Sequence, residues 1–260
     1  MPFVSVADQR LEYELIAGRE KRAPTLVFLH EGLGSVSLWR DFPAALSAKT
    51  GCPALVYSRR GYGKSNPGPV PRPVDYLHVE ARAVLPAVLG AFGITQSVLV
   101  GHSDGASIAL IAAGAGTAYG VQGLILEAPH VFVETVTIAG IEKARTAFEQ
   151  GGLREALARH HGTNVESAFW GWCRTWLSPE FRAWNIEEFL PNVRIPVLVI
   201  QGIGDEYGTA TQVIAIANAV KGPIATELLE DCGHTPHREQ NDRVLDLMTR
   251  FIAELPGTTR

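Results

Sequence analysis

The strongest constraint on the fold is a series of short apolar segments that alternate with stretches of helical periodicity. The apolar segments are TLVFLH (25–30), ALVYS (54–58), SVLVG (97–101), GLILEA (123–128), PVLVIQG (196–202) and IATELLE (224–230). Such nearly continuous apolar strands are typical of parallel sheets, because helices bury both faces of the sheet. Between them, helical periodicity covers 73–92, 103–113, 209–220 and 238–255. The sequence therefore predicts the α/β class, with a mostly parallel central sheet and helices on both faces.

Two regions depart from this alternation. Near the N-terminus, FVSV and RLEYELIAG flank Ala7-Asp8 and predict an opening hairpin. Between Ala128 and Ile195 no strand pattern is present. Helices are predicted there at 134–150, 152–161, 164–177 and 180–190, with breaks at Gly151-Gly152, Gly162 and Ser178-Pro179. We therefore expect a core made of 1–132 and 193–260, and a helical cap inserted at 133–192.

Composition limits the classes of partner. The chain has 260 residues, of which 46% are hydrophobic and 19% charged, so it can bury one sizeable core. A net charge of −4 offers no basic field for nucleic acid, and no apolar run is long enough to span a bilayer. We expect a small-molecule substrate, no nucleic acid and no membrane. Because the first residues lack a secretory-signal pattern, we also expect a cytoplasmic location. The oligomeric state is left open.

The cysteines and several histidines predict no metal or cofactor site. Cys52, Cys173 and Cys232 are odd in number, widely spaced and lack a CxxC pair, which favours buried, reduced thiols. Cys232, close to His234, is a weaker candidate nucleophile. His160-His161 are expected to face solvent. The histidines lack HxH and HExxH spacing, and the glycine motifs lack a complete nucleotide fingerprint, so we expect neither a metal nor a cofactor.

A serine lies where an apolar strand meets a helix, in VLVGHSDGASIAL. The Gly-x-Ser-x-Gly spacing of Gly101, Ser103 and Gly105 makes a sharp turn that lifts the hydroxyl above the sheet. The alternative is an ordinary turn with a serine N-cap. A nucleophilic serine needs a base and a group that orients the base. Asp205 follows PVLVIQG and His234 follows IATELLE, in the expected order, so we predict Ser103 as nucleophile, Asp205 as acid and His234 as base.

An oxyanion hole requires two backbone N–H donors. One is predicted at Asp104, the residue after the nucleophile. The other is expected from the loop EGLGSVSLW, with Gly32 as first choice and Leu33 as second. The Asp104 carboxylate would disfavour anionic substrates if it reached the pocket. The alternative is that it lies behind the turn.

In these motifs the chain resembles the α/β-hydrolase family, in its cap-bearing branch of esterases and lactonases. The resemblance covers nearly the whole chain and is carried by HEGLGS (30–35), SRRGYGKS (58–65), GHSDG (101–105), GIGDEYG (202–208) and CGHTPHRE (232–239). It implies the α/β-hydrolase fold, the same three catalytic residues and a helical lid over the pocket. The family usually has glycine where this chain has Glu31.

The predicted function is a serine hydrolase that cleaves a small, largely apolar carboxylic ester or lactone through an acyl-enzyme. The tryptophans of the insert motivate the apolar preference. The alternatives on the same fold are a carbon–carbon bond hydrolase, a thioesterase or a cofactor-free dioxygenase, and a non-catalytic small-molecule receptor ranks below them. The candidate substrate contacts are Glu31, Leu33, His130, Trp170 and Trp176.

Overall fold

One mixed sheet organises the computed structural model, which describes residues 2–6, 8–20, 22–117 and 119–256. Within these residues, eight strands follow the order β1-β2-β4-β3-β5-β6-β7-β8. The strands are β1 (Phe3–Val6), β2 (Gln9–Ile16), β3 (Thr25–Leu29), β4 (Ala54–Tyr57), β5 (Ser97–His102), β6 (Val121–Glu127), β7 (Val197–Gly202) and β8 (Ile224–Leu229). Neighbours from β4 to β8 pair in parallel, whereas β1 and β2 pair antiparallel with each other and β2 with β4. The strands predicted from the apolar runs and the opening hairpin are confirmed; Ala7, in the predicted hairpin turn, lies outside the described residues.

Helices connect these strands. The α-helices are α1 (Phe42–Thr50), α2 (Tyr76–Val79), α3 (Leu85–Ala91), α4 (Asp104–Gly114), α5 (Thr135–Gln150), α6 (Leu153–His161), α7 (Val165–Trp176), α8 (Ala210–Ala219), α9 (Pro236–Glu239) and α10 (Asn241–Glu254). A π-helical turn, Glu80–Val84, joins α2 to α3. In the described part of the chain, no helix has the length and apolar character needed to cross a membrane.

Both faces of the sheet are covered, as the apolar runs predict. Alternate residues of β3 enter different cores, because successive side chains of a strand point to opposite faces. Leu26 and Phe28 pack with residues of α1 and α10, whereas Val27 and Leu29 pack with residues of α4. Each of these four side chains is at most 1% exposed. The result is a three-layer α/β arrangement, in which α4 packs against one face of the sheet.

The last strand corrects one expectation. The run 224–230 was expected to be buried on both faces, but β8 is an edge strand whose only strand neighbour in the described sheet is β7. Most of its side chains are exposed or half-buried, and only Leu229 is fully buried. The apolar residues of β8 are therefore only partly buried, as expected for a strand at the edge of the sheet.

The segment between β6 and β7 is helical, with one exception. Helices α5, α6 and α7 match the first three predicted helices, but the helix predicted at 180–190 is wrong. Two short 3₁₀ turns, Glu180–Ala183 and Glu187–Asn192, flank an extended Trp184 instead. Asn185 forms a β-bridge with Phe132, and the backbone N–H of Ile186 donates to the carbonyl of Val131. Pairing with 131–132 thus replaces the helical hydrogen bonds at this point.

Candidate active site

The predicted nucleophile lies on a strained turn between β5 and α4. Ser103 has φ 53° and ψ −114°, a conformation that side-chain-bearing residues rarely adopt. A Cβ on Gly101 would lie 2.5 Å from the carbonyl oxygen of Gly105, and a Cβ on Gly105 would lie 1.9 Å from that of Leu29. Both glycines are therefore required by close backbone packing, and the Gly-x-Ser-x-Gly spacing has a steric cause.

The predicted base and acid are hydrogen-bonded to each other. The Nδ1 atom of His234 lies 2.8 Å from both carboxylate oxygens of Asp205. Backbone N–H groups of Tyr207 and Gly208 and the side-chain amide of Gln201 also donate to this carboxylate. Burial would raise the pKa of Asp205, but the charge and hydrogen bond of His234 and the backbone N–H of Tyr207 lower it below its usual value. A carboxylate here makes Nδ1 the donor and leaves Nε2 of His234 as an acceptor.

Ser103 and His234 line one cavity of about 270 Å³. The predicted contacts Glu31, Leu33, His130 and Trp176 line it as well, and so does Gly32. The other lining residues are His102, Thr137, Ile141, Leu153, Trp172, Glu206, Tyr207, Thr235 and Arg238. The carboxyl ends of the parallel strands therefore bring together residues that are distant in sequence, because all these ends meet at one edge of the sheet.

Trp170 was predicted to line this cavity, and that prediction is wrong. Its indole N–H donates to Glu166, and the ring borders a separate depression on the outer side of α7. Trp172 and Trp176 line the site cavity instead, because residues four apart share one helical face whereas residues two apart do not. Helical spacing in the sequence could have identified Trp172.

The predicted oxyanion loop lies against the helical segment. A Cβ on Gly32 would lie 2.3 Å from the indole nitrogen of Trp172, so no larger residue fits without displacing that ring. Asp104 is the first residue of α4, where a backbone N–H has no acceptor within the helix. The roles of Gly32 and Asp104 as oxyanion donors stay predictions.

The side chain of Asp104 lies behind the turn and is fully buried. Its Oδ2 accepts a 2.6 Å hydrogen bond from the hydroxyl of Tyr76 and lies 3.4 Å from the guanidinium of Arg59. Burial raises the pKa of this carboxyl, and Arg59 and Tyr76 offset only part of that effect. Arg59 also donates to the carbonyls of His30 and Glu31. The buried side chain of Arg59 therefore contacts both segments that carry the predicted oxyanion donors, the loop at Gly32 and the start of α4 at Asp104.

Glu31 and His102 form a charged pair at the cavity wall. Oε2 of Glu31 lies 3.5 Å from Nδ1 of His102, and Nε2 of His102 donates to the backbone carbonyl of His234 at 2.7 Å. Burial would lower the pKa of His102, but Glu31 raises it to about 9. Burial would raise the pKa of Glu31, but the adjacent His102 holds it well below its usual value. His102 thus fixes the backbone that carries His234.

Two further expectations concern residues near the site. His161 was expected to face solvent, but it is 1% exposed: Gly63 N–H donates to its Nδ1, and its Nε2 donates to the carbonyl of Leu33, each at 2.9 Å. The prediction failed because the C-terminal end of α6 packs against two backbone loops of the core, those of Gly63 and Leu33.

Cys232 is free and buried, and burial raises the pKa of its thiol to about 11, which disfavours a thiolate nucleophile.

Several lining residues were missed in the sequence. Glu206 and Tyr207 directly follow Asp205, Thr235 follows His234, and Arg238 lies one helical turn further on. Their adjacency to predicted catalytic positions was a usable signal. Thr137, Ile141 and Leu153 come from the helical segment and carried no comparable signal. Among the residues at described positions, no group of three or more His, Cys, Asp or Glu side chains is arranged to hold a metal ion.

Comparison with known proteins places the chain in a family. Residues 26–247 match the model described as Alpha/beta hydrolase family. The sn-1-specific diacylglycerol lipase ABHD11 of Danio rerio is 33% identical over 103 residues, which are 40% of this chain and 31% of that protein. The match therefore spans less than a third of that relative's length.

Two solved structures share the fold. The enol-lactonase from Burkholderia xenovorans LB400 superposes with a TM-score of 0.75 at 22% identity, covering 97% of this chain and 100% of that one. The esterase EaEST from Exiguobacterium antarcticum gives a TM-score of 0.77 at 18% identity, covering 97% and 99%. At these identities the similarity establishes the α/β-hydrolase fold. Since the family match also covers most of the sequence, the chain belongs to the alpha/beta hydrolase family.

Proposed function

We propose that this protein is a serine hydrolase that cleaves a small carboxylic ester or lactone through an acyl-enzyme. One observation carries the proposal. A serine held at φ 53° and a histidine whose Nδ1–H is committed to a buried carboxylate border the same cavity. That combination supplies a nucleophile, an acceptor for its proton and a group that fixes the acceptor's tautomer.

In the first half-reaction, Nε2 of His234 takes the proton of Ser103 as Oγ attacks the substrate carbonyl carbon. The negative charge that develops on the carbonyl oxygen is stabilised by the backbone N–H groups of Asp104 and Gly32. Each such donor contributes about 3–4 kcal/mol to the transition state in enzymes of this chemistry. The N-terminal end of α4 adds a favourable dipole at the same point. Asp205 stabilises the imidazolium that forms.

The attack produces a tetrahedral intermediate, which then collapses to the acyl-enzyme. The bond between the carbonyl carbon and the alcohol oxygen breaks, and the imidazolium of His234 gives its proton to the departing alcohol. Water enters, gives a proton to Nε2 of His234 and attacks the acyl carbon. The bond between the acyl carbon and Oγ of Ser103 then breaks, the imidazolium of His234 returns its proton to Oγ, and the acid is released.

The size and lining of the cavity support a small substrate. About 270 Å³ is near the lower end of the ligand cavities found in proteins. One wall is apolar and comes from Ile141, Leu153, Trp172 and Trp176. Because all four lie in the helical segment 133–192, we propose that this segment acts as the cap that shapes the substrate site. The names of the lactonase and esterase that share the fold are consistent with ester chemistry.

The test is the hydrolysis of short-chain aryl esters by Ser103→Ala, with Ser5→Ala as a matched control at an exposed position of strand β1. We expect Ser103→Ala to lose activity by roughly 10⁵- to 10⁶-fold, the scale seen when the serine of a hydrolytic triad is removed. Ser5→Ala should match the parent protein, and a fluorophosphonate probe should label the parent and the control but not Ser103→Ala.

Retained turnover in Ser103→Ala would refute the proposal. Faster turnover of a vinylogous diketone than of any ester would assign the site to carbon–carbon bond hydrolysis instead. Thermal melting of each variant separates loss of chemistry from loss of folding.

A further inference from the structure

His130 is held at the cavity by a backbone that is fixed on both sides. The preceding Ala128 has φ 46°, a left-handed conformation that is unfavourable for a residue with a side chain. The carbonyl of His130 accepts a 2.6 Å hydrogen bond from Ser107, and Val131 N–H donates at 2.8 Å to the side chain of Gln212. Strain of this kind persists only where the surrounding structure fixes it, and such positions cluster at functional sites.

Within the described part of the chain, the buried Nδ1 of His130 has no hydrogen-bond partner. The His130 side chain is 2% exposed and lines the cavity, with its ring centroid 5.8 Å from that of His234 and 5.4 Å from that of Trp176. Solvent does not reach Nδ1, so Nε2 is the ring atom through which His130 meets a ligand in the cavity. Buried polar groups are normally paired, so a histidine that lines a cavity without a side-chain hydrogen bond to any described residue points to a partner outside the protein.

The imidazole of His130 is uncharged at neutral pH. Burial lowers its pKa, and the neighbouring His234 lowers it further, to about 3, although Asp205 acts in the opposite direction. A neutral imidazole offers one N–H donor and one acceptor nitrogen. It cannot balance the charge of a carboxylate, and the carboxylates of Asp205 and Glu31 are already close to the cavity.

We propose that His130 is a specificity-determining residue that hydrogen-bonds a second, neutral oxygen of the substrate, a hydroxyl or keto group. This inference rests on the proposed ester hydrolysis and narrows its substrate class. The substrate is then a hydroxy- or oxo-substituted ester or lactone, bound between the apolar wall of the helical segment and the polar wall next to His234. A purely apolar ester would cover Nε2 of His130 without pairing it, which weakens binding of that ester.

Kinetics on paired substrates will show whether the second oxygen belongs to the acyl part or to the alcohol part of the substrate. Two pairs vary the acyl part: 4-nitrophenyl butanoate against its 3-hydroxy derivative, and the same ester against its 3-oxo derivative. A third pair varies the alcohol part, as ethyl butanoate against 2-hydroxyethyl butanoate. We expect the parent protein to favour the oxygenated member of at least one pair by about tenfold in kcat/KM, the scale of one hydrogen bond in a water-excluded site.

Three variants test whether His130 causes that preference. His130→Phe keeps an aromatic ring but removes both nitrogens, and should lower kcat/KM for the oxygenated member of a pair by about tenfold more than for the plain member, so that the preference falls to about one. His130→Asn retains a donor and an acceptor, and should restore part of the preference. His160→Phe removes a histidine outside the cavity and should leave the preference unchanged.

Equal loss on all substrates in His130→Phe, or no preference in the parent protein for any oxygenated substrate, would overturn the inference. Ester hydrolysis itself is not required for the measurement. Equilibrium binding of each plain and oxygenated pair to Ser103→Ala reports the same preference without turnover. A preference that persists in binding, in a protein that hydrolyses no ester, would refute the proposed reaction and support the role of His130.

Discussion

The buried pair between Arg59 and Asp104 gives a quantitative test of how the turn that carries Ser103 is supported. The guanidinium and carboxylate lie 3.4 Å apart, and their side chains are 1% and 0% exposed. Lys49 and Asp246 form a shorter contact of 2.8 Å, but these side chains are 46% and 63% exposed. Distance alone would rank the surface pair as the stronger. Burial reverses that order, because breaking a buried pair leaves a charge without water.

We expect Arg59→Met to lower the free energy of unfolding by about 3–5 kcal/mol, the range for removing one partner of a buried ion pair. Asp104 would keep the hydroxyl of Tyr76 as a donor, while the carbonyls of His30 and Glu31 would lose theirs. For a chain of this size the melting temperature should fall by roughly 6–20 °C. Because burial raises the pKa of Asp104, this carboxylate takes up a proton as the pH falls into mild acid. The loss of unfolding free energy caused by Arg59→Met should therefore be larger at neutral pH than in mild acid.

The assay is urea unfolding followed by circular dichroism, with thermal melting alongside. Lys49→Met is the matched control and should produce no resolvable change, since exposed pairs contribute little. The double variant of Arg59→Met with Asp104→Leu removes both charges and should recover part of the lost stability. The reasoning is refuted if Arg59→Met unfolds like the parent protein, or if Lys49→Met costs as much.

Three further changes test the site directly. Asp205→Asn should keep the fold but lower kcat for ester hydrolysis by about 10⁴, because an amide neither holds the His234 tautomer nor stabilises its imidazolium; parent-like kcat would remove Asp205 from the triad. Gly105→Ala should lower the melting temperature markedly, since its Cβ would lie 1.9 Å from the carbonyl oxygen of Leu29, and an unchanged melting temperature would contradict that geometry. Cys232→Ser should retain ester hydrolysis within about twofold, whereas loss of turnover in a folded protein would return the thiol to consideration.

The sheet and the site positions could be predicted because both depend on local pattern. Six apolar runs gave the parallel strands, and chain order placed Ser103, Asp205 and His234 after three of them. Parallel strands bring their carboxyl ends to one edge, so the convergence of these residues on one side followed from topology. The steric need for Gly101 and Gly105 followed from the same turn.

The remaining features depend on contacts between segments that no local pattern records. Trp170 and Trp172 have similar neighbours in sequence, and only the orientation of α7 decides which of them faces the cavity. The helix predicted at 180–190 failed because Asn185 pairs with Phe132, a partner distant in sequence. Propensity is a weak prior where such tertiary pairing competes.

His161 shows how the helical segment and the candidate active site depend on each other. Its ring accepts from Gly63 N–H and donates to Leu33 O, so the end of α6 is bonded to the loop that carries the predicted oxyanion donor Gly32. Asn164, just beyond, donates to the carbonyls of Gly63 and Ser65. A movement of this end of the segment must therefore break these bonds or shift the loop with it. It follows that substitutions which displace α6 should change the turnover of every substrate, whereas substitutions at Trp172 or Ile141, which face the cavity, should mainly change which substrate is preferred.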